Sequence, residues 1–186
     1  MKTLHELFLH ELQDMYDAEQ QLTKALPEVE KETTDPMIKQ RVRQHLTETE
    51  QHVRNLDACF QALGEKAKTQ KCAGIAGILQ EKQSAMKEKP STEVLQVINL
   101  TGSTKIEHYE ICAYTGLISL AAMMGHAECE RLLKQNLQDE NNMAEFLEQN
   151  TRQTIEKLGA MTGDANMAAR GQTMAHNQTP QRTPTR

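Results

Sequence analysis

Five glutamates occupy positions from which a bundle of helices would bring their carboxylates to one level: Glu19, Glu48, Glu107, Glu110 and Glu140. A helical hairpin that turns at residues 33–36 puts the first two at nearly equal distances from the turn. A second turn near residue 125 puts Glu140 opposite Glu107 and Glu110. Each also lies on or beside the apolar stripe of its helix. Buried carboxylates are costly unless a cation holds them, so this arrangement predicts a metal site.

Carboxylates at this spacing suit a pair of transition-metal ions. Two divalent irons need about four carboxylates to balance their charge and to bridge them, and helical bundles supply such ligands from facing helices. Residues three apart share a helix face, so Glu107 and Glu110 can point at the same place. Iron and manganese both accept carboxylate oxygen and imidazole nitrogen. The hypothesis is therefore a site for two iron ions, with manganese as the alternative, that reacts with O₂ or peroxide.

Histidines near these acids would supply the nitrogen ligands of such a site. His52 follows Glu48 by four residues and His45 precedes it by three, so both share a helix face with that acid. His52 is the best candidate for a nitrogen ligand, and packing or the support of another ligand is its alternative role. A glutamine stands three residues after Glu48 and a methionine three residues after Glu140. Neither Glu-x-x-His motif is therefore present in strict form.

Amphipathic helices are the elements that would position these groups. Apolar residues recur at steps of three and four through most of the chain, and runs typical of strands are missing. The predicted helices span about 3–31, 36–63, 73–79, 91–124 and 126–158. The stretch between the second and fourth of these is too long for a tight hairpin, so it can carry the chain from one end of a bundle to the other. The prediction is an all-α four-helix bundle with one long crossover and an additional short helix.

Length and composition limit the class of protein. The chain has 186 residues, enough for one bundle domain over 1–160, and its polar end predicts a flexible tail over 161–186. A net charge of -5 without a basic face argues against a nucleic-acid partner. No apolar run reaches the roughly 18 residues of a membrane helix. The N-terminus is unlike a signal peptide and the four cysteines lack C-x-x-C spacing, so a cytoplasmic protein with reduced thiols is expected.

A plainer interpretation gives these acids no metal. A glutamate at the edge of a bundle stripe usually reaches solvent, and Arg41, Lys105 and Arg131 are available as salt-bridge partners. Two alternatives to a redox centre therefore stay open. The first is a metal-binding protein that buffers iron or manganese without catalysis. The second is a metal-free structural or interaction module in the form of a helical dimer.

Four segments resemble motifs of the YciE/YciF family of bacterial stress proteins. They are residues 16–22 (YDAEQQL), 45–53 (HLTETEQHV), 105–111 (KIEHYEI) and 139–144 (DENNMA). The resemblance extends over residues 1 to about 160. It implies a ferritin-like fold, similar also to that of rubrerythrin, in which a four-helix core carries an added short helix.

The resemblance also implies partners and ligands, namely a homodimer that binds metal ions at a di-metal centre. By position, Glu19 corresponds to the first-helix ligand and Glu48 to the second-helix ligand. Glu107 and Glu110 resemble a third-helix Glu-x-x-Glu pair, and Glu140 corresponds to the fourth-helix ligand. We expect Glu48 and Glu110 to bridge the two ions and the other three acids to be terminal ligands.

Overall fold

A computed structural model describes residues 1–161, which form five α-helices. These are α1 (Leu4–Glu32), α2 (Pro36–Ala62), α3 (Ala73–Lys87), α4 (Thr92–Met123) and α5 (Ala127–Met161). No strand occurs in this part of the chain. The long helices agree with their predicted spans to within a few residues, whereas α3 continues well beyond its predicted end at residue 79. The tail expected over 161–186 lies, apart from Met161, outside the described residues.

Local chemistry sets the ends of these helices. Thr3, Asp35 and Ser91 precede α1, α2 and α4, and each accepts a hydrogen bond from a backbone N–H in the first turn. Such caps satisfy donors that a helix leaves unpaired at its N-terminus. After α2 and α4, Gly64 and Gly125 adopt φ values of 72° and 73°, a left-handed conformation that favours glycine. The chain therefore leaves these two helices at the positions where glycine permits it.

Helix packing confirms the predicted all-α bundle with its long crossover. The hairpins α1–α2 and α4–α5 pack side by side, with α1 against α4 and α2 against α5. Helix α3 lies within the crossover between the hairpins. Because it contacts both α1 and α4, it covers the side of the bundle where these two helices meet. Among the described helices, none combines the length and the apolar character that a membrane crossing requires.

The bundle core consists of two apolar clusters with a layer of buried polar side chains between them. The larger cluster includes Phe8, Leu12, Leu56, Phe60, Leu117 and Leu133. The smaller cluster comprises Leu26, Ile38, Val42, Leu100, Met143 and Leu147. On α2, α4 and α5 a buried acid or histidine falls between the residues that join one cluster and those that join the other. On α1, Glu19 lies between Ala18 and Leu22 of the larger cluster, two turns before Leu26 of the smaller one. The two apolar clusters therefore enclose the polar layer from above and below.

A close contact between Gly74 and Tyr109 holds α3 on the bundle. A Cβ atom at Gly74 would lie 2.4 Å from the Cε2 ring carbon of Tyr109. The Tyr109 hydroxyl donates a hydrogen bond to Oδ2 of Asp14 at 3.1 Å and lies 3.2 Å from Sγ of Cys72. The absence of a side chain at Gly74 therefore lets the first turn of α3 lie directly on this ring.

Gly74→Ala should lower the free energy of unfolding by about 1–3 kcal/mol, because the new methyl group overlaps the Tyr109 ring. Gly77→Ala is the matched control in the same helix, since a Cβ there meets no atom within 4 Å. That change should raise the free energy of unfolding by up to about 1 kcal/mol through higher helix propensity. Urea unfolding of both variants makes the comparison. Equal effects at the two glycines would contradict the close packing of α3.

Candidate metal centre

Six ionisable side chains meet in the polar layer, and none is more than 2% exposed. They are Glu19 from α1, His45 and His52 from α2, Glu107 and Glu110 from α4, and Glu140 from α5. Each lies on the buried stripe of its helix, so the packing of the bundle aims all six inward. Burial of a charge is costly unless a partner offsets it, so the contacts among these groups decide what the layer can do.

The first group of potential ligands joins α1, α2 and α5. Nδ1 of His52 lies 2.9 Å from Oε1 of Glu140 and 3.3 Å from Oε1 of Glu19. The hydroxyl of the buried Tyr114 donates a hydrogen bond to the same oxygen of Glu19. This hydroxyl also accepts a hydrogen bond of 3.0 Å from the side-chain amide of Asn136. Oε1 of Glu19 therefore meets both the Tyr114 hydroxyl and His52, and its Oε2 atom has no hydrogen-bond partner within the described residues.

The second group joins α2, α4 and α5. Nε2 of His45 lies 3.4 Å from Oε1 of Glu107 and 3.6 Å from Oε2 of Glu140. Glu140 thus belongs to both groups, with one carboxylate oxygen directed at each imidazole. The rings of His45 and His52 are 6.5 Å apart between centroids. This is the arrangement of a carboxylate that can bridge two neighbouring ions.

The spacing of these atoms is compatible with a bound cation. Within residues 1–161, Nδ1 of His52 and both oxygens of Glu140 have no partner with hydrogen-bond geometry, although they are close to one another. One oxygen each of Glu19 and Glu107 is likewise without a donor. An ion with bonds of about 2.1 Å holds neighbouring ligand atoms about 3.0–3.4 Å apart, close to the distances found here.

Each histidine has a carboxylate on its outer nitrogen. Nδ1 of His45 makes a hydrogen bond of 3.1 Å with Oε2 of Glu48, and Nε2 of His52 makes one of 3.3 Å with Oδ2 of Asp139. Histidines that bind metals usually have such a partner, which orients the ring and makes the other nitrogen a better ligand. Both inner nitrogens are therefore directed toward the buried acids.

Glu110 is the buried acid with the fewest partners. It is 0% exposed, and neither of its oxygens accepts a hydrogen bond from any residue of the described chain. Burial and the charges of the neighbouring acids, Glu140 foremost, raise the pKa of this carboxyl well above its usual range. A buried, unpartnered carboxylate costs about 1–3 kcal/mol or more, so a ligand that binds it would offset this cost.

Proton affinities across the layer follow from burial and mutual charge. Burial opposes the charge of His45, but the Glu107 carboxylate outweighs it and raises the His45 pKa to about 10. In the same way, the carboxylates of Glu19 and Glu140 outweigh burial and raise the pKa of His52 to about 11. Burial, together with the charge of Glu107, raises the pKa of Glu140 to about 8. Both histidines, Glu110 and Glu140 therefore hold protons more tightly than they would in an unfolded chain. At Glu107 the charge of His45 outweighs burial and lowers the pKa.

Most of the predicted site residues converge in this layer. The predicted residues that the structure brings together are Glu19, His52, Glu107, Glu110 and Glu140. Glu48 lies outside the group. Its side chain is 18% exposed, and its Oε2 atom pairs with Arg41 at 2.8 Å as well as with His45. These partners outweigh the effect of burial and lower the Glu48 pKa to about 2. Arg41 is the partner that the plainer interpretation suggested. Glu140, and not Glu48, is the acid that lies between the inner nitrogens of the two histidines.

His45, which was expected on the same helix face as Glu48, was not among the predicted ligands, and Asp139, which contacts the layer from outside, was not predicted as a support. A signal for His45 is present in the sequence. The buried positions of α2 are 38, 42, 45, 49, 52, 55, 56, 59 and 60, which places His45 and His52 on one stripe, two turns apart. Glu48 falls off that stripe. For Asp139, whose side chain is 37% exposed, the sequence offers only its position beside Glu140.

Comparisons with known proteins agree with this fold. A profile of the family described as Domain of unknown function (DUF892) matches residues 3–159. The protein YciF of Escherichia coli K12 is 33% identical over 141 residues, which cover 75% of this chain and 85% of that protein. The crystal structure of the E. coli stress protein YciF matches with a TM-score of 0.79 at 30% identity, covering 84% of this chain and 99% of the other. YcfI of Rhodopseudomonas palustris matches with a TM-score of 0.76 at 35% identity, covering 79% and 94%.

The metal-free protein should lose stability as the pH rises from about 5 to about 10. The native state holds protons that the unfolded chain releases, because folding raises the pKa of Glu140 from 4.5 to about 8 and those of both histidines from 6.5 to about 10 and 11. Stability falls with pH wherever the native state binds more protons. Glu48, with its lowered pKa, has an effect only at lower pH.

Urea unfolding in the presence of a chelator measures this dependence. The midpoint should fall steadily between about pH 5 and 9, and Glu140→Gln should flatten the part between about 4.5 and 8. A midpoint that stays constant or rises over this range would contradict the electrostatics of the layer.

Proposed function

We propose that the chain, which belongs to the family described as Domain of unknown function (DUF892), binds two divalent metal ions. The two ions would lie side by side at the centre of the bundle. Glu19 and His52 would hold one ion, and His45 and Glu107 would hold the other. Glu140 would bridge the two ions, since it belongs to both groups.

One observation carries this proposal. The inner nitrogens of two buried histidines face a set of buried carboxylates, several of whose oxygens lack a hydrogen-bond donor within the described residues. Each unpaired buried acceptor costs about 1–3 kcal/mol, which a purely structural network would avoid by placing donors there. A pair of cations satisfies the oxygens and the nitrogens together. The outer carboxylates of Glu48 and Asp139 are the supports that metal-binding histidines usually have.

Iron and manganese are the ions that this mixed oxygen and nitrogen set favours. A pair of ferrous ions held there would supply two electrons, the number needed to convert hydrogen peroxide and two protons into two water molecules, and O₂ would be the other oxidant of this class. The similarity to the E. coli stress protein YciF supports such a role under stress. In this proposal the protein is a non-haem di-metal protein that reacts with O₂ or peroxide.

The residues of the chain prepare the site for these ions. Tyr114 is fully buried and holds Glu19 through its hydroxyl, while Asn136 holds Tyr114 in turn. The apolar clusters on both sides of the layer exclude bulk water, which strengthens every electrostatic contact inside. Glu110 has no competing partner within residues 1–161, so its carboxylate is available to either ion.

One observation favours a metal-free role instead. With pKa values of about 10 and 11, His45 and His52 are charged near neutral pH and offset two carboxylates without any ion. The bundle can therefore fold without metal and serve as a structural or interaction dimer. A buffer for iron or manganese, without catalysis, is the intermediate case.

Calorimetric titration of the metal-free protein with Mn²⁺ tests the centre. We expect two ions per chain in the wild type, one in His52→Ala, and none of comparable affinity in Glu140→Ala, because Glu140 serves both positions. Glu156→Gln changes an exposed acid of the same helix and should leave both ions bound. An unchanged stoichiometry in Glu140→Ala, or no binding to the wild type, would reject the centre.

Stopped-flow absorbance separates catalysis from buffering. Protein loaded with ferrous iron without oxygen is mixed with O₂ or with peroxide. Ferric absorbance should develop faster in the wild type than in Glu140→Ala, because the oxidation needs both electrons at one site. If iron in the wild type is oxidised no faster than iron in Glu140→Ala, catalysis is rejected and only the buffering role remains.

Glu48→Gln should weaken Mn²⁺ binding about 10- to 100-fold, because the amide no longer supplies the charge that orients and polarises His45. Glu50→Gln is the matched control, an exposed acid two residues away on the same helix. It should leave the affinity unchanged. Calorimetry gives both affinities, and circular dichroism checks that both variants stay helical. Equal affinities in the two variants would show that Glu48 has no part in holding the ring.

A further inference from the structure

An apolar cavity lies beneath α3, where this helix covers the groove between α1 and α4. Its volume is about 30 Å³. Most of its wall is aliphatic and includes Leu22, Leu26, Val29, Ile78, Leu79 and Ile98. The crossover helix therefore closes a small hydrophobic space against the side of the bundle.

The two ends of this cavity differ from its walls. At the inner end lie His45 and Glu107, which form one of the two proposed metal positions. The lining also includes the partly exposed Lys82, whose Nζ atom pairs with Oε2 of Glu32 at 2.8 Å, and the buried Asn99, which donates to the same oxygen at 3.0 Å. The cavity thus leads from an ion pair near the surface to the second metal position, and it does not reach Glu19 or His52.

Size and polarity restrict what can occupy this space. A water molecule needs about 10–15 Å³ by the same measure, so the cavity has room for a diatomic molecule. Apolar cavities of proteins tend to stay dry and take up apolar gases such as xenon. Ions and strongly hydrated molecules would lose solvation along the aliphatic wall. Hydrogen peroxide, which forms hydrogen bonds at both ends, suits such a wall less well than O₂.

We infer that the cavity beneath α3 binds O₂ and leads it to the metal position formed by His45 and Glu107. This inference rests on the proposed metal centre and adds the oxidant and its route. It makes the two metal positions unequal, because only one faces the cavity. It also gives α3 a function, since Ile78 and Leu79 of that helix close the cavity.

Gly102 provides a way to fill the cavity without disturbing the ligands. It lies in the wall, and a Cβ added there meets no atom within 4 Å. Gly116 is the matched control in the same helix, equally open but exposed and away from the cavity. Both glycines are inside α4, where replacement by leucine or alanine favours the helix. Gly102→Ala is a milder second variant that fills less of the space.

Xenon binding to the metal-free protein tests the cavity directly. Methyl NMR spectra recorded under xenon should show shifts for Leu22, Ile78 and Ile98 in the wild type and in Gly116→Leu. The shifts should be reduced in Gly102→Ala and lost in Gly102→Leu. Equal shifts in Gly102→Leu, or no shift of these methyl groups in the wild type, would overturn the inference.

Oxidation kinetics test the route. In ferrous-loaded protein, Gly102→Leu should slow oxidation by O₂ about tenfold relative to Gly116→Leu, with Mn²⁺ affinity unchanged. Oxidation by peroxide should keep its rate, and an equal loss with both oxidants would overturn the assignment to O₂. A protein that takes up xenon but binds no Mn²⁺ would overturn the metal centre, and the route with it. A protein that binds Mn²⁺ but shows no methyl shifts under xenon would support the metal centre and overturn only the O₂ route.

Discussion

Four carboxylates and two imidazoles leave water when this bundle closes, and a buried ion loses solvation worth several kcal/mol unless neighbouring groups replace it. The surrounding structure balances this loss. Protons are held on Glu140 and on both histidines, whose pKa values are raised, and the opposite charges of the layer attract one another. The two apolar clusters supply the burial that keeps the layer closed. A bundle of this length could be filled with leucine alone, so its stability does not require the polar layer.

Support for the layer comes from residues just outside it. Glu48 and Asp139 fix the outer nitrogens of the two histidines, and Arg41 keeps Glu48 ionised. A buried chain of side-chain hydrogen bonds runs from Glu19 through Tyr114, Asn136 and Asn55. Such fully paired surroundings hold the inner groups in place, and the unpaired atoms are concentrated at the centre, where an ion would bind.

The fold was predictable in most respects because each long helix carries its own signals. Apolar residues at three- and four-residue steps marked the helices, and the turns predicted at residues 33–36 and near residue 125 separated the two helices of each hairpin. The interior position of Glu19, Glu107, Glu110 and Glu140 followed from the same stripes. The length of α3 did not, because its stability depends on docking against α1 and α4, of which the contact between Gly74 and Tyr109 is a part.

Glu48 shows where reasoning from sequence reached its limit. Distance from the turn fixes the level of a residue in a hairpin, and Glu48 is at the expected level. Rotation about the helix axis then decides whether a side chain faces the core, and the tighter packing of Val42, His45, Thr49 and His52 turns Glu48 toward Arg41. By itself, the amino-acid sequence determined the helices, their order and the supply of buried acids. The packing of the helices against one another determined which carboxylate lies near both histidines and which nitrogen of each histidine faces it. The rotation of a helix about its axis and the pairing of its side chains depend on contacts with helices far apart in the chain.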